Sequence, residues 1–191
     1  FYGVKVTQEE NDLLANTSIN SSFMPEIGIY DLYVITCGSL GDPNQARNDV
    51  SEALRITSAN YSGIIPWLTA ITNYKRIETA GSLWIFSSVA ADRGRPSNYH
   101  YGAAKAALTT FCEGLLLRCH NKPFSVRIIK AGFMATPMAI DAPPFLCISP
   151  NNVARHLMRN QNRRGIEYLP WWWSLIMTLI RILPNQFAAK L

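Results

Sequence analysis

An α/β fold on a doubly wound parallel sheet is the class this sequence predicts, and three observations predict it. Short apolar segments alternate with longer segments of helical period. The strand candidates are near-continuous apolar runs, the pattern of strands covered on both faces. Glycines and small polar residues follow those runs, at the carboxyl ends of strands where such sheets bind ligands.

The elements follow in order. Val4–Thr7 is a short strand candidate, and residues 8–30 are polar with weak periodicity. Tyr30–Thr36 is rich in β-branched and aromatic residues and reads as a strand. It runs into Cys37-Gly38-Ser39-Leu40-Gly41-Asp42, a glycine-containing loop. Residues 44–74 keep a helical period, with Val50, Ala53, Leu54, Ile64, Ile65, Leu68 and Ile71 apolar. Ser82–Ser87 is the next strand, and residues 99–120 the next helix, with Ala103, Ala106, Ala107, Leu108, Phe111, Leu115 and Leu116 apolar. Phe124–Ile129 is a strand, residues 150–162 form a helix that Ser149 or Asn151 caps, and Ile166–Leu169 is a last short strand. Consecutive parallel strands are expected to connect by right-handed crossovers.

Composition narrows the function classes. Hydrophobic residues make up 48% of the 191 and charged residues 16%, the reverse of a disordered balance. No apolar run reaches the roughly 20 residues needed to cross a bilayer. Cys37, Cys112, Cys119 and Cys147 form no CxxC pair and no cluster with zinc spacing, so they are expected to be reduced thiols in a cytoplasmic protein without a metal. Phe1 is not an initiator methionine, and the chain reads as a piece of something longer.

Tyr101 and Lys105 stand four apart on the 99–120 helix and therefore share a face. A lysine cation beside a phenol favours phenolate, and a tuned tyrosine serves as general acid or base at a carbonyl or alcohol. Ser88 lies 13 residues earlier at the end of a buried strand. Asn60 lies on the preceding helical segment, and Gly132 with Thr136 follows the next strand in Ala-Gly-Phe-Met-Ala-Thr.

In order, spacing and context these residues resemble the short-chain dehydrogenase/reductase family, from about Tyr30 to Gly165. The resemblance implies a Rossmann-like fold and a nicotinamide cofactor, NADP or NAD, with NADPH preferred on the resemblance only. It implies Tyr101 as general acid/base, Lys105 as the group that lowers its pKa and holds the nicotinamide ribose, and Ser88 as hydrogen-bond partner of the substrate oxygen. Asn60 would support a water chain behind Lys105. Gly38, Ser39, Ser87, Gly132, Phe133, Met134 and Thr136 would line the cofactor. It also implies a homo-oligomer paired through segments 44–74 and 99–120.

The Gly38–Asp42 loop, the Arg93–Tyr101 segment and the tail from Tyr168 are similar to a narrower group in that family, reductases of a 2-keto-pentofuranosyl decaprenyl phosphate. Three departures stand out. Ala131 replaces a proline before Gly132, and Thr36-Cys37 replaces an Asn-Asn pair. The family's glycine-rich first turn has no counterpart here, so the N-terminal βαβ part is expected to be missing or to lie upstream. Residues 1–170 then form an incomplete Rossmann-like reductase domain.

Residues 171–191 form a Trp-rich C-terminal helix. Residues 1–150 carry no net charge, and six Lys/Arg against Glu167 alone after residue 150 account for the whole excess of +5. Trp171, Trp172 and Trp173 open an apolar stretch to Leu183 that is too short to span a bilayer. Trp beside basic residues suits a membrane interface. An oligomer contact or a lid over the substrate pocket accounts for the same pattern. The expected substrate is a small or lipid-linked carbonyl compound at the cytoplasmic side of the membrane, and no nucleic-acid partner is expected, because the aromatics sit among aliphatics. The alternatives are a truncated non-catalytic interaction module and a reductase of a fatty-acyl or small carbonyl compound.

Overall fold

The computed structural model describes residues 27–139 and 142–189. The strand expected at Val4–Thr7 lies outside the described residues. Four strands form one parallel sheet in chain order: β1 (Leu32–Ile35), β2 (Gly81–Ser88), β3 (Phe124–Ala131) and β4 (Gly165–Leu169). Each follows its predecessor through helices, as the alternating sequence pattern requires. Between β1 and β2 lie α1 (Val50–Asn60), α2 (Ile65–Ile71) and α3 (Tyr74–Ile77). Next come α4 (Tyr99–Arg118), α5 (Pro150–Arg159), α6 (Trp173–Ile182) and α7 (Asn185–Ala188).

The helix expected over 44–74 is not continuous. A 3-10 turn at Ser62–Ile64 separates α1 from α2. Pro66 offers no N–H to a helical ladder, and its ring crowds the carbonyl four residues back, so it tolerates only the first turn of a new helix. Ser149 rather than Asn151 caps α5, its side chain accepting from Asn152 N–H.

Alternate residues of the strands face opposite layers. Leu83, Ile85, Val126 and Ile128 pack beneath α2 and α4, against Leu68, Ile71, Leu108, Cys112 and Leu115. Trp84 and Ile129 face the other way, onto Val153 and Leu157 of α5. The strands are less uniformly apolar than their sequence suggests. Arg127, fully buried in β3, meets Glu167 of β4 with Nη2 at 2.7 Å and donates to the Leu157 and Asn160 carbonyls. A buried cation persists only when paired in this way.

α6 is docked on the sheet rather than detached from it. Trp173 and Met177, four apart, are buried against Val89, with Phe133, Leu146 and Tyr168 around them. Leu175, Leu179 and Ile182, on the other side of the same helix, are exposed. This apolar packing closes over the carboxyl ends of β2 and β3, where Ser88 pairs with Ala131 and Ala131 with Leu169.

Candidate active site

β2 ends at Ser88, which caps a 3-10 turn by accepting Ala90 N–H on its Oγ at 3.1 Å. With a lone pair used in this way, the hydroxyl hydrogen is free to turn toward Tyr101, whose hydroxyl Ser88 engages. Tyr101 lies in the first turn of α4, and Lys105 follows one turn later on the same face.

Lys105 is 3% exposed, and its Nζ donates to Phe86 O (3.1 Å) and Cys37 O (3.2 Å). It therefore bridges the ends of β1 and β2. Burial lowers its pKa to about 8. Its Nζ stands 6.0 Å from the centre of the Tyr101 ring.

The expectation that Tyr101 titrates well below an ordinary phenol is corrected by its surroundings. Burial pushes the hydroxyl pKa up, and the hydrogen bond from Ser88 and the positive charge of Arg95 oppose that rise. Lys105 points past the ring to the two carbonyls, so Arg95 supplies the opposing cation.

Asn60 is fully buried and clamps the loop after β1. Its Nδ2 donates to Ser39 O (2.6 Å) and Ile56 O (2.8 Å), and its Oδ1 accepts from Ser39 N–H (3.2 Å). Gly38 is held between the two polar side chains. A Cβ there would stand 2.8 Å from Asn60 Oδ1 and 3.1 Å from Lys105 Nζ, so only glycine admits this close approach. Gly38, Ser39, Leu40, Gly41 and Asp42 form one wall of an open cleft of about 600 Å³, and Pro137 and Met138 form another.

The remaining predicted residues divide. Thr136 lies beside that second wall, its N–H bonded to Met134 O. Gly132 donates to Leu169 O, and Phe133 O accepts from Ile148 N–H, which fixes the loop. The Phe133 ring packs on Trp173 at 5.7 Å, and Met134 packs against the α5 side. Ser87 is turned away from the others. Its Oγ is buried 2.6 Å from Thr109 Oγ1 on α4, so its side chain is not presented to the cleft.

Arg95 is not singled out from sequence, and Trp173 reads there only as part of the apolar tail. Arg95 acts by its charge on Tyr101, and the only sequence signal was its place in the Arg93–Tyr101 segment. Trp173 covers Gly132, and the signal was a tryptophan in the apolar tail. No group of three or more metal-ligating side chains occurs among the described residues.

The sequence model of short chain dehydrogenases matches residues 19–145. An uncharacterised oxidoreductase of Mycobacterium tuberculosis is 32% identical over 179 residues, 93% of this chain and 72% of that one. A second, from Streptomyces coelicolor, is 26% identical over 193 residues, 99% of this chain and 76% of its own. A 3-oxoacyl-[acyl-carrier-protein] reductase of Chlamydia muridarum is 27% identical over 139 residues, 71% and 56% of the two chains. Among solved structures, a Burkholderia cenocepacia short chain dehydrogenase in complex with NADP superposes with a TM-score of 0.67 at 16% identity, covering 88% of this chain and 72% of that one. A Brucella melitensis 3-oxoacyl-[acyl-carrier protein] reductase with bound NAD gives 0.57 at 23% identity, over 68% and 54%. The solved structures share the fold, and the extent of the sequence match goes further: the chain belongs to the short-chain dehydrogenase family.

Proposed function

We propose that this oxidoreductase reduces a keto group, or oxidises the matching alcohol, with NADP or NAD, and that Ser88, Tyr101 and Lys105 carry the reaction. The observation that carries the reading is the placement of Ser88 at the end of β2 beside α4, which carries Tyr101 and, one turn along, Lys105, whose Nζ ties the ends of β1 and β2. The donor set suits a nicotinamide riboside. Lys105 uses two of its three N–H groups on backbone carbonyls, which leaves one for a ribose hydroxyl. Gly38 and Ser39 line the cleft, and Thr136 offers a hydroxyl beside it. The cofactor, when bound, supplies or takes the hydride.

Tyr101 gives its hydroxyl proton to the carbonyl oxygen, or removes it from the alcohol. Ser88 donates a hydrogen bond to that oxygen. Lys105 keeps a positive charge below about pH 8 and holds the ribose, while Ser88 and the Arg95 charge favour phenolate as it forms. Asn60 acts as a positioning residue for the Cys37–Ser39 loop.

Small carbonyl compounds, including 3-oxoacyl substrates, are compatible with the names of the relatives. The sugar on a polyprenyl phosphate finds no counterpart among them, and its support is the exposed apolar row on α6. Pairing of two copies draws on Val50 and Leu54 of α1 and Leu117 of α4, all exposed. The test is Tyr101→Phe in the full-length protein. Carbonyl-dependent oxidation of NADPH or NADH should fall by a factor on the order of 10²–10⁴ while the far-UV spectrum is retained. Unchanged turnover would remove Tyr101 from the chemistry.

A further inference from the structure

The segment from Asp92 to the start of α4 is tied down at nearly every step. Asp92 takes Lys130 on one carboxylate oxygen and the Tyr168 hydroxyl on the other, at 2.8 Å. Arg93 donates to Arg181 O (2.9 Å), Leu183 O (3.3 Å) and Asn185 Oδ1 (2.6 Å). Pro96 O accepts from Arg47 Nη2 at 2.9 Å. Arg95 sits among these anchors and differs from them. It is half-buried, its Nε is closed off from water without a hydrogen-bond partner, and it forms no ion pair. Among the described residues, every other arginine with no acceptor for its guanidinium is exposed: Arg159, Arg164 and Arg181.

Closing the Arg95 Nε off from water without an acceptor is unfavourable, while its two terminal nitrogens are not closed off in this way. The nearest acid in sequence, Asp92, is already committed to Lys130 and Tyr168. Asn98 N–H donates to Arg95 O at 3.2 Å and Gly102 N–H to Asn98 O at 3.0 Å, so the loop anchors hold an unpaired cation in the turn ahead of α4 and Tyr101, near enough for its charge to act on the hydroxyl. Guanidinium is planar, always charged, and fits carboxylate or phosphate with two parallel hydrogen bonds.

We propose that Arg95 receives an anionic group, a carboxylate or a phosphate, carried by the carbonyl substrate that reacts at Tyr101. The inference rests on the reductase reading and adds the substrate class to it. The anion would complete the Arg95 pairing and hold the keto group in register with Ser88 and Tyr101. Arg95 is then a specificity-determining residue, and its effect differs between charged and neutral substrates of one shape.

The experiment compares acetoacetate with its ethyl ester, and dihydroxyacetone phosphate with dihydroxyacetone, in the purified full-length protein and in Arg95→Met and Arg95→Lys. The readout is the ratio of kcat/KM within each pair. That ratio cancels any general effect of the Arg95 charge on Tyr101. The anionic member should be preferred by the wild type, Arg95→Met should lower the ratio tenfold or more, and Arg95→Lys should restore part of it. The pair that responds identifies carboxylate or phosphate as the group.

A ratio unchanged by Arg95→Met overturns the proposal, even where both rates fall together. Calorimetric binding of acetoacetate and of inorganic phosphate is measured alongside, on these variants and on Tyr101→Phe. If no probe is turned over, anion binding that Arg95→Met abolishes and Tyr101→Phe retains supports the Arg95 site. Binding that is absent, or equal in wild type and Arg95→Met, overturns it. Full turnover by Tyr101→Phe would instead sink the reductase reading and leave the Arg95 site to be judged on binding.

Discussion

Trp173 occupies the space that a side chain at Gly132 would need, its indole overlapping the position of a Cβ built there. The contact joins the loop after β3 to α6 and explains a glycine that sequence reading assigned to the cofactor. Gly132→Ala should displace the indole and loosen α6. The expected cost is about 1–3 kcal/mol, as for other overpacked sites. A lowered urea midpoint together with a red-shifted tryptophan emission would show it. Unchanged emission would mean that α6 does not need this contact.

Lys105 makes stability depend on pH in a definite direction. Burial lowers its pKa from 10.5 to about 8, so between these values the unfolded chain holds a proton that the folded chain has lost. Stability contributed through this group therefore rises with pH across that window. The span corresponds to roughly 3 kcal/mol at most. Cys112 acts in the opposite sense. Its thiol is pushed up to about 12 by burial, so above its ordinary value of 9.0 the folded chain keeps a proton that the unfolded chain loses. Urea unfolding of wild type and Lys105→Met from pH 7.5 to 10.5 separates the two. The difference between wild type and variant should move in favour of wild type as pH rises, and a flat difference would mean that Lys105 titrates normally.

The grouping of Ser88, Tyr101 and Lys105, the trio proposed to carry the reaction, was legible because its signals are local. A spacing of four on a helix places Tyr101 and Lys105 on one face in any fold, and a strand end places Ser88 near a ligand site. Asn60 was legible as a residue, but its clamp on the loop after β1 was not, because its partners at Ser39 lie 21 residues away. Arg93 and Arg95 are chemically alike and two apart, and only tertiary partners make one an anchor and leave the other unpaired. The break in 44–74 was visible as Gly63 and Pro66, yet the apolar period continued through them. On α6 the two apolar rows are equivalent in sequence, and docking alone buries Trp173 and Met177 while exposing Leu175 and Leu179.

The buried Arg127–Glu167 pair should behave as one unit. Glu167→Gln leaves a fully buried guanidinium without its counter-charge and is expected to cost about 3–5 kcal/mol. Arg127→Met combined with Glu167→Leu removes both charges and should cost less than the sum of the single changes. A double-mutant cycle by chemical denaturation measures the difference. Additive costs would mean that the pair contributes nothing beyond two separate packing positions.

The exposed row of α6 decides what the tail does. Leu175, Leu179 and Ile182 lie along one side of the helix, with Trp171 exposed just ahead of its first turn and Leu175 and Leu179 each 63% exposed. Moving these side chains from water into an acyl layer is favourable at about 25 cal/mol per Å², and Arg181 at the end of the row adds attraction to anionic headgroups. The full-length protein should float with phosphatidylglycerol-containing vesicles, and Leu175→Ser with Leu179→Ser should lower the bound fraction severalfold without lowering the melting temperature. The buried row at Trp173 and Met177, which docks α6, is untouched by these changes. If the wild type stays with the soluble fraction and light scattering shows a dimer that the double variant splits, the row is a contact between copies. Membrane recruitment through α6 would then be wrong.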